Sequence, residues 1–399
     1  MSISSSHFQF VNEEDLNTCV NCGLCLPHCP TYRVTGEDIY SPRGRINLIR
    51  SVKHGDIELT KEVVNSLDTC IQCMGCEPAC PSGVQYHNII SPVKTEIHQR
   101  RNWRDIPLRF GLYVVTHLPL LRLLTRIISV FQVLKAVPKR LQIPRIPFRR
   151  QQLLNDPHLS REKEVMLFTG CVMDAWYRNV HEDTITLLNA LGYSVVISGD
   201  EYGCCGALHE HAGFTKTAEK IQGNIPRSAD KATIIVNSAG CSASLKKTMK
   251  DSHEILDINE FLHRHISDLR KLLIHRKEKV IIQEPCHLRH VQGISLEVTE
   301  LLGIAFDVVQ LDDDGLCCGA GGSFSFSQPK MANAVRGRKI AEITRAVEST
   351  SPDSARYVAS ANPGCLSFLS SSAINIEIQH PVTLLKQSLR LQHVIGGLQ

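Results

Sequence analysis

Four short apolar runs punctuate the second half of the chain: Val165-Met-Leu-Phe, Ile234-Ile-Val, Val280-Ile-Ile and Tyr357-Val-Ala. Each leads within a few residues to a cysteine behind a glycine or proline, at Gly170-Cys171, Gly240-Cys241, Pro285-Cys286 and Gly364-Cys365. Runs this short and this rich in branched residues predict buried strands. Helical patterns lie between them, at Asp183 to Leu191 and Lys330 to Ala346, so an α/β sheet is expected. The first hundred residues carry a different period. Arg43 to Lys53 places Ile46, Leu48, Ile49 and Val52 on one helical face and stops at Gly55; Thr60 can cap a second helix bearing Val63, Val64 and Leu67. Leu120 to Val137 is apolar but carries Arg122, Arg126 and Lys135. It suits packing against the core or a partner, or lying on an anionic membrane face with its long cations snorkelling. No window holds eighteen apolar residues without a charge, which argues against a spanning helix.

The strand-rich half repeats itself. Cys171, Cys204-Cys205-Gly206 and Cys241 recur as Cys286, Cys317-Cys318-Gly319 and Cys365, at offsets of 115, 113 and 124 residues. Three landmarks at nearly one offset indicate a duplication. Ligands of open α/β sheets sit beyond the carboxyl ends of the strands, which is where Cys171, Cys241, Cys286 and Cys365 fall. Cys241 and Cys365 also precede predicted helices, whose positive ends favour thiolate.

Composition sharpens this picture. The 399 residues are 43% hydrophobic and 21% charged with a net charge of only +4, as in ordinary globular proteins, but include 16 Cys. Met1 to Phe10 has neither a basic start nor an apolar run, so no secretory signal is expected and the cysteines should serve in the cytosol as ligands or redox groups. Residues 100–150 hold twelve Arg or Lys against Asp105 alone, together with Pro107, Pro119, Pro138, Pro144 and Pro147, which break helices and mark a connector, and contain no cysteine. The expected organisation is a cysteine-rich domain at 1–99, a basic linker at 100–160, and two Cys-Cys-Gly repeats at 161–275 and 276–399. A basic stripe can also bind nucleic acid, but with aromatics as sparse as Trp103, Phe110, Tyr113 and Phe131 no nucleic-acid partner is expected.

The strongest chemical signal lies near the amino end. Cys19-x2-Cys22-x2-Cys25-x3-Cys29-Pro30 is followed by Cys70-x2-Cys73-x2-Cys76-x3-Cys80-Pro81. Three sulfurs at every third residue wrap three corners of a [4Fe–4S] cube, and in this motif the fourth Cys ligates the other cluster. The expected assignment is crossed: Cys19, Cys22, Cys25 and Cys80 for the first cluster, Cys70, Cys73, Cys76 and Cys29 for the second. Paired C-x2-C is also zinc spacing, but zinc requires neither the third Cys nor the trailing x3-Cys-Pro. Pro42-Arg43-Gly44-Arg45 sets two cations near these motifs, either to offset cluster charge and raise a potential or as a solvated helix start.

Other signals are weaker. Gly319-Ala-Gly321-Gly322 lacks the strand-to-helix setting of a dinucleotide loop and reads as a tight turn approaching sulfur. His287, His209 and His211 are candidate extra ligands or proton donors, although packing roles are commoner for lone histidines. No Ser-His-acid arrangement or nucleophile elbow is present, and no catalytic residue is assigned.

With its paired ferredoxin motifs, Pro42-Arg-Gly-Arg45, basic connector and two Cys-Cys-Gly units, the chain resembles the iron–sulfur subunits of bacterial glycolate oxidase over nearly its whole length. It is also similar to those of D-lactate and anaerobic glycerol-3-phosphate dehydrogenases, and in its Cys-Cys-Gly units to heterodisulfide reductase. The resemblance implies an α+β multidomain fold: a helical two-[4Fe–4S] ferredoxin-type domain followed by a duplicated, heterodisulfide-reductase-like α/β region. It implies an oxidoreductase whose flavin (FAD) and 2-hydroxy-acid sites lie on partner subunits, with electrons leaving toward quinone or a quinone-linked acceptor, in the cytoplasm or peripherally on the inner face of the cytoplasmic membrane. One departure stands out. Heterodisulfide reductase units end in C-x2-C, whereas Cys241-Ser-Ala-Ser244 and Cys365-Leu-Ser-Phe368 lack the last Cys. The sets Cys171, Cys204, Cys205, Cys241 and Cys286, Cys317, Cys318, Cys365 are left open as a further iron–sulfur centre, a redox-active pair or a metal-free scaffold.

Overall fold

The structure, a computed structural model, describes residues 7–100, 106–136, 143–147, 150–153, 163–226, 233–350, 355–372 and 375–390. Two compact units form, and they do not follow chain order. The first comprises Met1–Leu112, Ala207–Glu219 and Asp313–Lys339; the second comprises Tyr113–Gly206, Lys220–Asp312 and Ile340–Gln399.

The first unit is helical and closes around the two cysteine motifs. The helix Pro42–His54 starts on Ser41, whose side chain accepts from the Gly44 N–H, and ends at Gly55 in the left-handed conformation (φ 81°). The helix Lys61–Asp68 starts on Thr60, which accepts from the Val63 N–H. Ile46, Ile49 and Val52 from the first, Val63 and Leu67 from the second, and Ile89, Ile90 and Val93 from the helix Tyr86–Arg100 form one core that also takes in Cys70, Met74 and Cys76. Excursions from both repeats join this unit. Gly213 lies against the Lys94 backbone, where any side chain would clash, and Gly321 (φ 51°) lies against Ile71, between two cysteines of the second motif. The glycine-rich turn after Cys317-Cys318 is thus a close-approach device, as its sequence suggests.

The second unit contains two four-stranded, all-parallel sheets. Strands β1 (Glu164–Phe168), β2 (Ser194–Ile197), β3 (Thr233–Val236) and β4 (Glu254–Asp257) take the order β2-β1-β3-β4; β5 (Lys279–Ile282), β6 (Asp307–Gln310), β7 (Ala355–Ala359) and β8 (Glu377–Gln379) take the order β6-β5-β7-β8. The identical order is the duplication read from the cysteines. A shared core runs through both sheets, from Leu167 and Ile235 to Val280 and Ile282. The repeats also meet through polar contacts: Asn362 Oδ1 accepts from the Gly240 N–H (3.3 Å) and the Ala361 carbonyl from the Ala239 N–H (3.1 Å). Fold class and duplication therefore stand as expected.

The proline-marked stretch is helical over Ile106–Thr116 and Leu118–Val133. Pro107 and Pro119 do not break these helices. Each occupies the second helical position, where a missing N–H costs nothing; Pro138 lies outside the described residues. Leu118, Leu121, Thr125 and Ser129 form the buried side of the second helix. No single helix among the described residues is long and apolar enough to cross a membrane.

Candidate metal centres

The two N-terminal motifs fold into the same loop twice. Asn21 (φ 59°) and Gly23 (φ 86°) are left-handed between the first three cysteines, and Gln72 (φ 59°) and Met74 (φ 57°), each 51 positions on, are left-handed between the second three. The backbone bonds match as well: Leu26 N–H to Gly23 O and Cys29 N–H to Leu26 O recur as Glu77 N–H to Met74 O and Cys80 N–H to Glu77 O. Left-handed residues within a tight turn point successive N–H groups to one side, the nest that receives anions and iron–sulfur clusters. Asn and Gly adopt this conformation readily; Gln72 and Met74 do so at a cost of about 1 kcal/mol each.

The surroundings differ. Cys22 is exposed and Cys19, Cys25 and Cys80 are half-buried, whereas Cys29, Cys70 and Cys76 are buried and Cys73 is half-buried. An open cavity is lined by Cys70, Cys73 and Cys76 of the second motif and by Cys29 of the first. Arg45, Gln72 and Tyr86 belong to its wall. Arg45 is 1% exposed. It donates to the Ser66 carbonyl (2.8 Å), Thr31 Oγ1 (3.1 Å) and Thr69 Oγ1 (3.3 Å), and its Nη1 lies 4.0 Å from Cys29 Sγ, but none of these partners is a carboxylate. Burial alone would lower its pKa; the negative charge available at Cys70, Tyr86 and Cys29 raises it instead. The Tyr86 hydroxyl and the Gln72 amide nitrogen are buried with no hydrogen-bond partner. A buried cation without a carboxylate, beside two unspent donors and four thiols, fits an anionic cluster and leaves it sulfur-directed hydrogen bonds.

Pro42-Arg43-Gly44-Arg45 acquires a physical reading from this geometry. A side chain at Gly44 would strike the Asp38 carbonyl, so only glycine lets the helix start press onto that turn. Arg43 then faces out, bonded to Asp38 (3.0 Å) and to the Asn21 carbonyl (3.1 Å) in the first loop, while Arg45 faces in. Burial pushes the Cys25 thiol up to about 11 and that of Cys76 well above the ordinary range, so iron–sulfur insertion must displace protons from these groups. Among the described residues no three Cys, His, Asp or Glu side chains converge as a single ion requires. The corners of a cube, by contrast, hold their thiolates apart.

The first repeat assembles its four cysteines. Cys171 follows β1 and Cys241 sits in the first turn of the helix Ala239–Met249 after β3, so the two flank the point where the strand order reverses, the usual ligand crevice of such sheets. Cys204 Sγ lies 3.9 Å from Cys171 Sγ, and Cys205 Sγ lies 3.2 Å from Cys241 Sγ. All are buried except the half-buried Cys241. The contact with Cys204, then burial, holds the Cys171 thiol well above its ordinary range; contacts with Cys204 and Cys241 do the same for Cys205. The Cys-Cys-Gly turn recurs in both repeats with the same glycine conformation and the same bond. Gly206 (φ 77°) and Gly319 (φ 90°) are left-handed and donate their N–H groups to Cys204 and Cys317 sulfur at 3.4 Å.

In the second repeat, Cys286 follows β5 and Cys365 lies in the first turn of the helix Pro363–Ser370 after β7. His287 Nδ1 stands 3.5 Å from Cys286 Sγ, and the Asn362 amide 3.8 Å from Cys365 Sγ. Cys317 and Cys318 are buried within the first compact unit. His209 is buried and His87 pairs with Glu210 (3.5 Å), so this histidine-rich turn packs against the N-terminal helices. Tyr86, Gln72 and Asn362 escaped the sequence reading. The left-handed non-glycine at 72 is a conformational fact with no local signature, and nothing near Tyr86 advertises an unpaired hydroxyl.

Comparisons with known proteins agree with this geometry. Residues 15–84 match the 4Fe-4S dicluster domain family, and residues 165–246 and 280–370 match the cysteine-rich domain family. The chain is 31% identical to the glycolate oxidase iron-sulfur subunit of Escherichia coli (strain K12), over 94% of each chain. It is 30% identical to the probable glycolate oxidase iron-sulfur subunit of Bacillus subtilis (strain 168), over 89% of this chain and 88% of the relative. The anaerobic glycerol-3-phosphate dehydrogenase of Escherichia coli (strain K12) contributes a third relative, one of its subunits, which is 26% identical over 95% of this chain and 100% of its own length. Paired cluster loops, duplicated Cys-Cys-Gly sheets and similarity along almost the entire length converge: the chain belongs to the family of glycolate oxidase iron-sulfur subunits.

Proposed function

We propose that this chain is the electron-transfer subunit of a flavin-dependent glycolate dehydrogenase complex, taking electrons from a partner FAD-containing subunit toward quinone or a quinone-linked acceptor. The observation that carries it is the cavity lined by Cys29, Cys70, Cys73 and Cys76, with Arg45 buried at its wall and bonded to no carboxylate. These four thiols hold the second [4Fe–4S] cluster, and Cys19, Cys22, Cys25 and Cys80 hold the first. The clusters supply one-electron redox chemistry when bound. The chain's own contribution is to shape the two loops, to place Arg45, Tyr86 and Gln72 as donors at the buried site, and to leave Cys22 at the surface. Cys171, Cys204, Cys205 and Cys241 suit a further iron–sulfur centre, supported by the gathering of all four at one sheet edge. Substrate oxidation belongs to the partner. Leu123, Ile127, Val130 and Phe131, exposed on the helix Leu118–Val133 beside Arg126, support a peripheral seat on the inner face of the cytoplasmic membrane.

In the purified complex, Cys22→Ala and Cys73→Ala should each abolish glycolate:quinone activity while flavin content and partner assembly persist. Full activity in either variant would contradict the proposal. The similarity to the anaerobic glycerol-3-phosphate dehydrogenase favours a second substrate reading. Glycerol-3-phosphate turnover exceeding that of glycolate in the same complex would select it.

A further inference from the structure

The second compact unit contains an open cavity between the helix Leu118–Val133 and the helix Val172–Trp176. Arg122, Arg126, Arg150 and Arg178 line it, and Asp174 is its only acidic lining residue. We propose that this cavity is a binding site for an oxyanion, a carboxylate or phosphate group.

Asp174 is 3% exposed and carries three guanidinium groups. Arg150 Nη2 bonds it at 2.7 Å, Arg122 Nη2 at 3.1 Å, and Arg178 bonds its other oxygen. Three arginines bring about fifteen N–H donors; Arg122 spends its share on Asp174 and Asp200 and Arg178 one on the Gln151 carbonyl (2.6 Å), which leaves about half of them for another acceptor. Arg122 also pairs with Asp200 at the rim (2.6 Å), and Arg126 has no ion-pair partner among the described residues. Counting both acids, the arginines exceed the carboxylates by two. Burial, with Arg150 and Arg122 adding to it against the pull of Asp174, holds the Arg178 guanidinium below its ordinary range, whereas Arg122, bonded to both Asp200 and Asp174, is held above it.

A second observation points the same way. Thr125 and Trp176 line the cavity, and Thr125 Oγ1 and Trp176 Nε1 are buried with no hydrogen-bond partner; Thr125 is 6% exposed. An indole N–H only donates, and a threonine hydroxyl left without its usual helix-carbonyl acceptor is a free donor too. Unspent groups that are all donors, inside a cationic wall, call for an acceptor with negative charge. Ile146, Pro147 and the Trp176 ring give that ligand a short apolar flank. Guanidinium forks suit carboxylate and phosphate alike, so the ligand is either a free small anion or the headgroup of an anionic lipid.

The full chain, purified anaerobically with its iron and sulfide, is titrated at fixed ionic strength by calorimetry with inorganic phosphate and with glycolate, and by sedimentation with vesicles of phosphatidylglycerol or of phosphatidylcholine. Saturable binding of a free anion, weakened about tenfold by Thr125→Val or Trp176→Phe, assigns the site to a small molecule. Binding to phosphatidylglycerol vesicles alone, weakened by the same two substitutions, assigns it to a lipid headgroup. Both substitutions leave surface charge unchanged, so a merely electrostatic attraction would not respond to them. Arg126→Gln, at an exposed and unpaired residue, should weaken binding without lowering Tm. The proposal is overturned if neither free anion nor anionic vesicle binds, or if binding is indifferent to Thr125→Val, Trp176→Phe and Arg126→Gln.

Discussion

The two cluster loops share a spacing and a backbone but not an environment. The loop at Cys19–Cys25 reaches its shape with Asn21 and Gly23, residues that accept left-handed φ, and presents Cys22 to solvent. The loop at Cys70–Cys76 reaches the same shape with Gln72 and Met74, which resist it, and does so inside the hydrophobic core. Unfavourable φ persists only where packing over-determines it. Met74 is 6% exposed, and Gly321 presses on neighbouring Ile71, so the core holds the second loop in place, while the first rests on residues that accept its shape and on polar contacts to Arg43 and Asn47. Charge follows the same division. Arg43 spends itself on Asp38 at the surface, while Arg45 is buried and bonded to no carboxylate. Burial disfavours an added electron, whereas a cation and sulfur-directed donors favour it, so the second site balances opposing effects that the less buried first site feels more weakly.

The largest expected effect is loss of a cluster. Cys76→Ala and Cys22→Ala should each lower iron content by about four atoms per chain. Only Cys76→Ala, which also opens a gap in the core, should lower Tm strongly, by about 10 °C or more; equal melting curves would remove the distinction between a core-held and a self-held loop. Next comes Arg45→Gln. At an effective dielectric of about 20, losing a full charge at the edge of the site disfavours the added electron by about 2 kcal/mol, lowering one potential by about 100 mV. A redox titration followed by electron paramagnetic resonance should find the other cluster's potential unmoved, and equal shifts in both would sink the separation. The smallest effect is that of Tyr86→Phe. Its hydroxyl has no protein partner, so the substitution should leave cluster-free stability unchanged and lower the same potential by a few tens of millivolts.

Much of this was legible in sequence because it is local. Cysteine spacing is read directly, and short branched runs such as Val165-Met-Leu-Phe and Val280-Ile-Ile reported the central strands β1, β3, β5 and β7. The outer strands β2, β4, β6 and β8 were not singled out. Ser194–Ile197 and Asp307–Gln310 mix polar and apolar positions because edge strands are half-covered. Pro107 and Pro119 were read as helix breakers, yet each starts a helix, a difference of one position that composition does not resolve. The least legible features are long-range. Cys29 reaches a cavity lined by cysteines more than forty residues away, and Asp313–Lys339 folds with the N-terminal unit although its repeat partners Cys286 and Cys365 belong to the other. Nothing in the residues near Arg45 discloses that its charge would be buried, although Gly44, which admits the turn at Asp38, is the local mark of that packing.

If Cys29 serves the buried site, across from its own motif, its loss must silence the cluster beside Arg45. The direct measurement is an electron paramagnetic resonance redox titration of anaerobically prepared Cys29→Ala, Cys80→Ala and Arg45→Gln proteins. The signal lost in Cys29→Ala should be the one whose potential moves in Arg45→Gln, and Cys80→Ala should lose the other. If Cys29→Ala removes the signal that Arg45→Gln leaves untouched, the crossed arrangement is wrong and each motif holds its own cluster.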